Sequence, residues 1–441
     1  MCNEKANSKK YDNYYYPPSN NEILAHNTAF VDIQFGANKT AALNNASKPF
    51  RNVKAAIRAV LNKNPTATNP WRIVLSVGKY FHKNDVIVPN GISIEGVYNM
   101  TRISSLVLEG TSNLINIIVE SHNKTTITRR RGTATYLNTK FESYWDEPNA
   151  LFAGPTVLVL GGNVTADNHV SIMTTNSVNG DIEMVRFVNG SADVTNNTHI
   201  LNVNGNARNI MVYNVMPSVV NNLKISNSKT IINHTGSALN TSIMSIDSVP
   251  NMVHSNFNYH EINAPNSNAS NQIIMATGQS TVSMPNNIVK LGNTRLGRTK
   301  LARGVGAAGI MPTVLFLNSA FSDTPFLGVE GMIVPKIYGT DMSGNNQMTG
   351  SMNSNNQIIP TQNNTVQSFD SALQVVLDNS TLVLPLTTTL TGQLVMINNN
   401  SSTNTNLQIN NSTIPNTTVV IPPGISVIYQ SINNNWIKIN R

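Results

Sequence analysis

The sequence predicts an all-β chain: a parallel β-helix, the single-stranded solenoid in which each coil lies on the one before, with one capping α-helix near its start and a small β-module at its end. Three observations predict it. Short strand-like runs recur between turn residues through residues 71–292, at roughly 20 to 30 residues per coil, which suits a parallel β-helix better than the tight hairpins of a β-sandwich. One amphipathic segment precedes the first of them: Phe50, Val53, Ala56, Ile57, Val60 and Leu61 fall on one face at helical spacing. Asparagine supplies 69 of the 441 residues, and charged residues only 12%. Asn tolerates left-handed backbone and stacks at solenoid turns; the codon bias of an AT-rich genome would enrich it too, and both sources can hold.

The elements follow in order. Residues 1–28 are a polar arm with the run Tyr14-Tyr15-Tyr16-Pro17-Pro18, either a disordered tail or a segment that docks on a neighbouring subunit. A polar lead-in over 32–47 precedes the helix. Ser47 or Asn52 can cap its start, Pro49 suits a first turn, and Asn64-Pro65 stops it. Ile73 and Leu75 then alternate on a first strand and 86–88 forms a second. Pro89-Asn90-Gly91 is a strong turn and 92–94 a third strand, closed by Gly96. The coils continue to residue 292, each burying its inward residues on its neighbours.

Residues 125–149 break this rhythm and read as an excursion from a coil. They carry Arg129, Arg130, Arg131, Tyr144 and Trp145 beside the acidic Glu142, Asp146 and Glu147. Arginine with aromatics is the chemistry of binding hot spots, so the five basic and aromatic residues are candidates for contact with a glycan or a protein, a plain solvated loop being the alternative. Residues 293–365 read as a basic, glycine-rich neck (Arg295, Arg298, Lys300, Arg303) and a linker. Residues 366–441 alternate as a last β-module, with a turn at Pro422-Pro423-Gly424.

Several of these residues stand in a known order. Asp32, Phe35, Gly36, Lys48, Pro49, Phe50, Val53, Ala56 and Ile57 are followed by Trp71, Ile73, Leu75, Gly78 and Tyr80, then by Pro89, Gly91, Ile92, Ile94 and Gly96. Residues 30–98 thereby resemble the opening of the pectate-lyase-like right-handed parallel β-helix superfamily. The resemblance implies right-handed winding and a helix that caps the solenoid. It implies fold and not function, because that opening caps enzymes and inert virion spikes alike. The ending, Ile421-Pro422-Pro423-Gly424 with Val427, Tyr429, Trp436, Ile437 and Ile439, is similar to small β-modules that close phage and virus structural proteins. With the Asn-rich composition, the chain resembles structural proteins of giant, mimivirus-type DNA viruses and phage tail spikes. That implies a homo-oligomer, commonly a trimer, at a virion surface or fibre layer, in contact with other virion proteins or surface glycans.

Composition narrows the function classes. The formal net charge is +8, but the basic residues are not condensed into one strip, so no dedicated nucleic-acid site is expected. Cys2 is the lone cysteine, which excludes an intrachain disulfide and a Cys-based zinc site. No apolar run reaches the ~18 residues of a membrane span, and the first residues hold no apolar signal core; synthesis in the cytoplasm without a signal peptide is the expectation. Gly304, Gly306 and Gly309 spell G-x-G-x-x-G, but Pro312 blocks the helix a dinucleotide site needs.

A polysaccharide enzyme on this fold needs paired carboxylates, or Ca²⁺-binding carboxylates with a basic residue, on one outward face. The tight local set in the coils is Asp181, Glu183 and Arg186, the two carboxylates sharing a face at period two; a solvated strand edge explains it as well. The leading expectation is a non-enzymatic virion structural protein without cofactor. The alternatives are a lyase or hydrolase of acidic glycans, with Ca²⁺ only in the lyase case, and a non-catalytic glycan-binding module.

Overall fold

The path of the chain is set in its first coil. Trp71–Leu75, Gly78–Tyr80 and Val86–Val88 are three short strands. Each pairs in parallel with the strand one coil later: Ile92–Glu95, Thr101–Ser104 and Leu106–Glu109 respectively. Repetition of this rotation builds three stacked parallel sheets of 12, 10 and 11 strands, here called the first, second and third sheet. This nearly all-β arrangement is compatible with a parallel solenoid. The computed structural model describes residues 27–147, most of 150–290, and mainly the strands between 299 and 439. The polar arm, apart from its last two residues, and Arg295 and Arg298 of the basic cluster lie outside the described residues.

The helix, Val53–Leu61, buries Val53, Ala56, Ile57 and Val60. It packs on Thr28–Val31 and on the first strands of two sheets, which covers the start of the stack and shields apolar residues that no earlier coil could cover. Of the two possible caps, Asn52 acts: its side chain accepts from Ala55 N at 2.8 Å. Leu61 lies at the solvent edge rather than in the buried stripe. In the lead-in, Asp32 Oδ1 accepts from Gln34 N and Phe35 N at 2.8 and 2.9 Å. Gly36 sits where an added Cβ would stand 2.2 Å from Phe50 O, so only glycine allows that close approach.

Inward residues line up in columns through the registers. Along the third sheet one column runs Val88, Leu108, Arg129, Val159, Phe187, Val215, Ile246, all buried. The spacing between partners in the first sheet is 21 residues from Trp71 to Ile92 and 31 from Ala192 to Leu223. Coils lengthen along the chain, which is why the sequence repeat is irregular. The rotation also continues past residue 292. Thr299–Val305, Thr313–Leu317, Ala320–Ser322, Val329–Gly331 and Val334–Tyr338 join the three sheets in turn, where the sequence reads as a neck.

The corner between the first and second sheets is built on asparagine. Asn116, Asn138, Asn168, Asn196, Asn227 and Asn286 all hold φ between 49° and 56° there. Asn138 donates to Asn116 Oδ1 at 3.1 Å, Asn168 to Asn138 at 2.7 Å and Asn227 to Asn196 at 2.5 Å. Among the described residues, eleven of the twelve non-glycine positive-φ positions are Asn, which a purely compositional bias would not arrange. One position inward, a second row ties coil to coil through buried side chains. Asn197 Oδ1 accepts from His169 N at 2.8 Å, Asn258 Oδ1 from Ser228 N at 2.8 Å and Asn287 Oδ1 from Asn258 N at 3.1 Å.

The twelfth position is Phe257, with φ 53° and a ring 63% exposed, standing between Asn227 and Asn286 in the outer row. A bulky side chain in the left-handed region is strained by about 1 kcal/mol or more. Phe257→Asn is therefore expected to stabilise the coils by about 1 kcal/mol, read as a rise in the thermal midpoint. A midpoint at or below that of the wild type would show that the ring makes a compensating contact.

Near the C-terminus, Gly350–Asn353, Ile358–Ile359, Ala372–Leu377, Leu394–Asn399, Ser426–Ile432 and Asn435–Lys438 form a mixed six-stranded sheet. Leu382–Leu384, Thr405–Ile409 and Thr417–Ile421 form a three-stranded one. Leu384, Ile397, Leu407, Ile421, Tyr429 and Trp436 belong to a core cluster of their own. No helix is long and apolar enough to cross a membrane among the described residues.

Candidate functional site

The segment 125–149 is not an excursion. It supplies a full coil: Ile127–Arg131 in the third sheet, Thr133–Leu137 in the first and Lys140–Trp145 in the second. Strand alternation therefore splits the five candidate binding residues. Arg129 shares the inward face of Ile127 and is fully buried, and Trp145 also points into the core. Both are corrected from surface contacts to interior residues. Arg130 and Arg131 are exposed on the third sheet, where Arg130 pairs with Glu109 at 2.6 Å. Tyr144 lies on another face, the second sheet, stacked on His122 with centroids 5.0 Å apart and planes at 21°.

The outward face of the second sheet gathers a cluster that the sequence reading missed. Register sets Glu142 beside Glu120 and Tyr144 beside His122 on adjacent strands. Arg102, from one coil earlier, reaches both carboxylates, Glu120 at 2.7 Å and Glu142 at 2.6 Å. Lys140 Nζ lies 2.5 Å from Glu142, and His122 Nε2 lies 3.4 Å from Glu120. Two neighbouring carboxylates would repel; Arg102 bridging them makes the pair tolerable. Burial pushes the Glu142 carboxyl up, but the bonds and charges of Lys140 and Arg102 outweigh it and hold it below its ordinary value. A general acid needs the opposite, a carboxyl raised towards working pH. The cluster is built to lock three coils together and to leave His122 and Tyr144 at its rim.

The candidate catalytic set is likewise closed. Arg186 grips Glu183 with two bonds of 2.6 Å, Nε to Oε2 and Nη2 to Oε1, and lies 4.8 Å from the Phe152 ring centroid. Asn214 donates to Glu183 Oε1 at 2.7 Å. Asp181 belongs to a separate row, accepting from Asn209 at 2.8 Å, which accepts from Asn240 at 2.9 Å. Glu183 is 3% exposed and clamped by Arg186 and Asn214, so the pair presents no open carboxylate at Glu183. That corrects the reading of them as an exposed pair available to substrate.

Two histidines far apart in sequence, His169 and His199, meet inside the stack. Tyr136 packs on Phe141 at 5.2 Å, Phe141 on His169 at 4.3 Å, His169 on His199 at 6.0 Å and His199 on Tyr213 at 5.3 Å between centroids. His169 bonds Thr139 at 2.8 Å and Ser171 at 2.6 Å. Burial pulls His199 down to about 4 and His260 to about 3, and pulls His169 well below its ordinary value. No group of three or more His, Cys, Asp or Glu among the described residues is placed to hold a metal ion. No family model matches the chain, and neither a curated protein nor a solved structure matches it.

Proposed function

We propose that the chain is a non-catalytic structural protein of a virion surface or fibre layer, built as a closed, right-handed parallel β-helix. It assembles as a homo-oligomer, a trimer by resemblance, and touches surface glycans or coat proteins through its outward side chains, without a cofactor. One observation carries the reading: many carboxylates of the coils, Glu120, Glu142 and Glu183 among them, are held by cations from neighbouring positions of the stack. Besides the two clusters above, Asp85 pairs with Lys124 at 2.8 Å, Glu95 with Arg72 at 3.4 Å and Asp193 with Lys224 at 3.2 Å. A face so occupied suits a stiff scaffold better than proton transfer. The opening motif at residues 30–98 and the closing motif at residues 421–439 support the same class by resemblance.

Incubation of the pure protein with acidic and neutral polysaccharides, with and without Ca²⁺, is the test. No new reducing ends and no unsaturated uronate absorbance are expected. Product formation would overturn the reading in favour of a lyase or hydrolase, and Glu120 and Glu142 would be the first residues to replace. Binding without product would place the contact on a glycan.

A further inference from the structure

We propose that the stack holds a small monovalent anion of the halide class in its interior, bound by the guanidinium of Arg129 and the hydroxyl of Tyr136. The register sets Arg129 between Leu108 and Val159 in an otherwise apolar column, and its exposure is 0%. Its head group donates one bond, Nη1 to Leu108 O at 3.3 Å. Nε and Nη2 are buried without a partner among the described residues, and so is the Tyr136 hydroxyl.

Both orphans lie in the interior of the stack. Tyr136 projects into the same core from the first sheet, and the two groups influence each other electrostatically. Burial pushes the Tyr136 hydroxyl far up, so it stays protonated and cannot serve as counter-ion. The nearest carboxylate in the strand pairing, Glu109, is held outside by Arg130. Arginine does not escape by deprotonation. A buried charge without partner or bonds is among the costliest arrangements a fold can hold.

The missing component is defined by chemistry. It accepts hydrogen bonds, because the unpartnered guanidinium nitrogens are donors and the hydroxyl can donate. It carries one negative charge, to match one guanidinium. It is small, because it sits between packed coils. Water could accept the bonds but would leave the charge uncompensated. Arg130 and Arg131, next along the strand, add positive potential of the same sign.

Bromide-soaked crystals read at the bromine absorption edge give the direct test, with an anomalous peak expected in contact with the Arg129 head group. In solution the thermal midpoint should rise with chloride and saturate when gluconate is exchanged for chloride at fixed ionic strength. Arg129→Met, which refills the column with an apolar side chain, should abolish that rise, and Tyr136→Phe should shift it to higher chloride. If Arg129→Met does not fold, the crystal and Tyr136→Phe still decide. The proposal is overturned by the absence of a bromide peak at Arg129, or by a chloride dependence that persists unchanged in a folded Arg129→Met or in Tyr136→Phe.

Discussion

Lowering the pH from about 6.5 towards 4 is expected to destabilise the coils around residues 139–260 by up to about 4 kcal/mol per pH unit, the slope for three protons taken up on unfolding. His169, His199 and His260 are the cause. All three are buried, and burial holds each below its ordinary value, His199 at about 4 and His260 at about 3. Their folded values lie below the unfolded value near 6.5. The stabilising contribution is therefore fully present above about pH 6.5 and is lost as pH falls through the window down to the folded values. Among the described residues, no carboxylate bonds these rings. Their partners are Thr139, Ser171 and Ser255 hydroxyls, and the neighbouring Tyr136 and Tyr213 stay neutral. His234, also depressed by burial, acts in the same direction. Carboxylates held down by cations, Asp85 and Glu142, lose their contribution only below the ordinary carboxylate range. Urea unfolding followed by circular dichroism at a series of pH values measures the slope. His199→Leu should remove about one third of it. A stability that stays flat from pH 6.5 to 5 would refute the neutral, buried histidine column. Because stacked strands open in local groups, the slope applies to the unit that contains these residues.

The local signals of the chain were legible, and the cross-coil ones were not. Asn52, the apolar positions of 53–60 and Asn64-Pro65 lie within a dozen residues, so the helix and its cap could be read directly. The strands of the first coil were equally readable, because Trp71, Ile73 and Leu75 alternate between turn residues. The adjacency of Glu120 and Glu142 depends instead on the register between strands 22 residues apart. Partner spacing drifts from 21 to 31 residues along the first sheet, and nothing local reveals it. Arg129 is a different failure. Its charge and its two arginine neighbours suggested a surface loop, yet period-two alternation from Ile127 already put it on the inward face. The same count separates Tyr144 from Trp145. The asparagine excess was visible, but its cause was not. Only the dihedrals show that six of these residues sit at one recurring left-handed corner, and that Phe257 departs from it among the described positions.

Arg186→Ala is expected to cost about 2–4 kcal/mol, because it removes the principal partner of a carboxylate that stays inside. Glu183 is 3% exposed, and without Arg186 the Asn214 amide is the one remaining side-chain partner among the described residues. The outer half of the pair is partly open, Arg186 keeping 31% of its side chain exposed. Solvent therefore screens some of the loss, which places the effect below that of a fully enclosed pair. Replacing the pair by apolar residues of similar volume, Glu183→Met with Arg186→Leu, should recover most of it, since neither charge is then left behind. Thermal midpoints of the wild type, both singles and the double variant close a mutant cycle. A cost within about 0.5 kcal/mol for Arg186→Ala would mark the pair as a solvated surface contact and contradict the geometry. The same variants separate structure from chemistry. A clamped carboxylate predicts that Glu183→Gln lowers stability modestly and Asp181→Asn hardly at all, with no product formed in any variant. A catalytic pair would instead give product in the wild type and lose it in both substitutions at unchanged stability. Those opposite outcomes make Glu183 the residue at which the scaffold and enzyme readings part most cleanly.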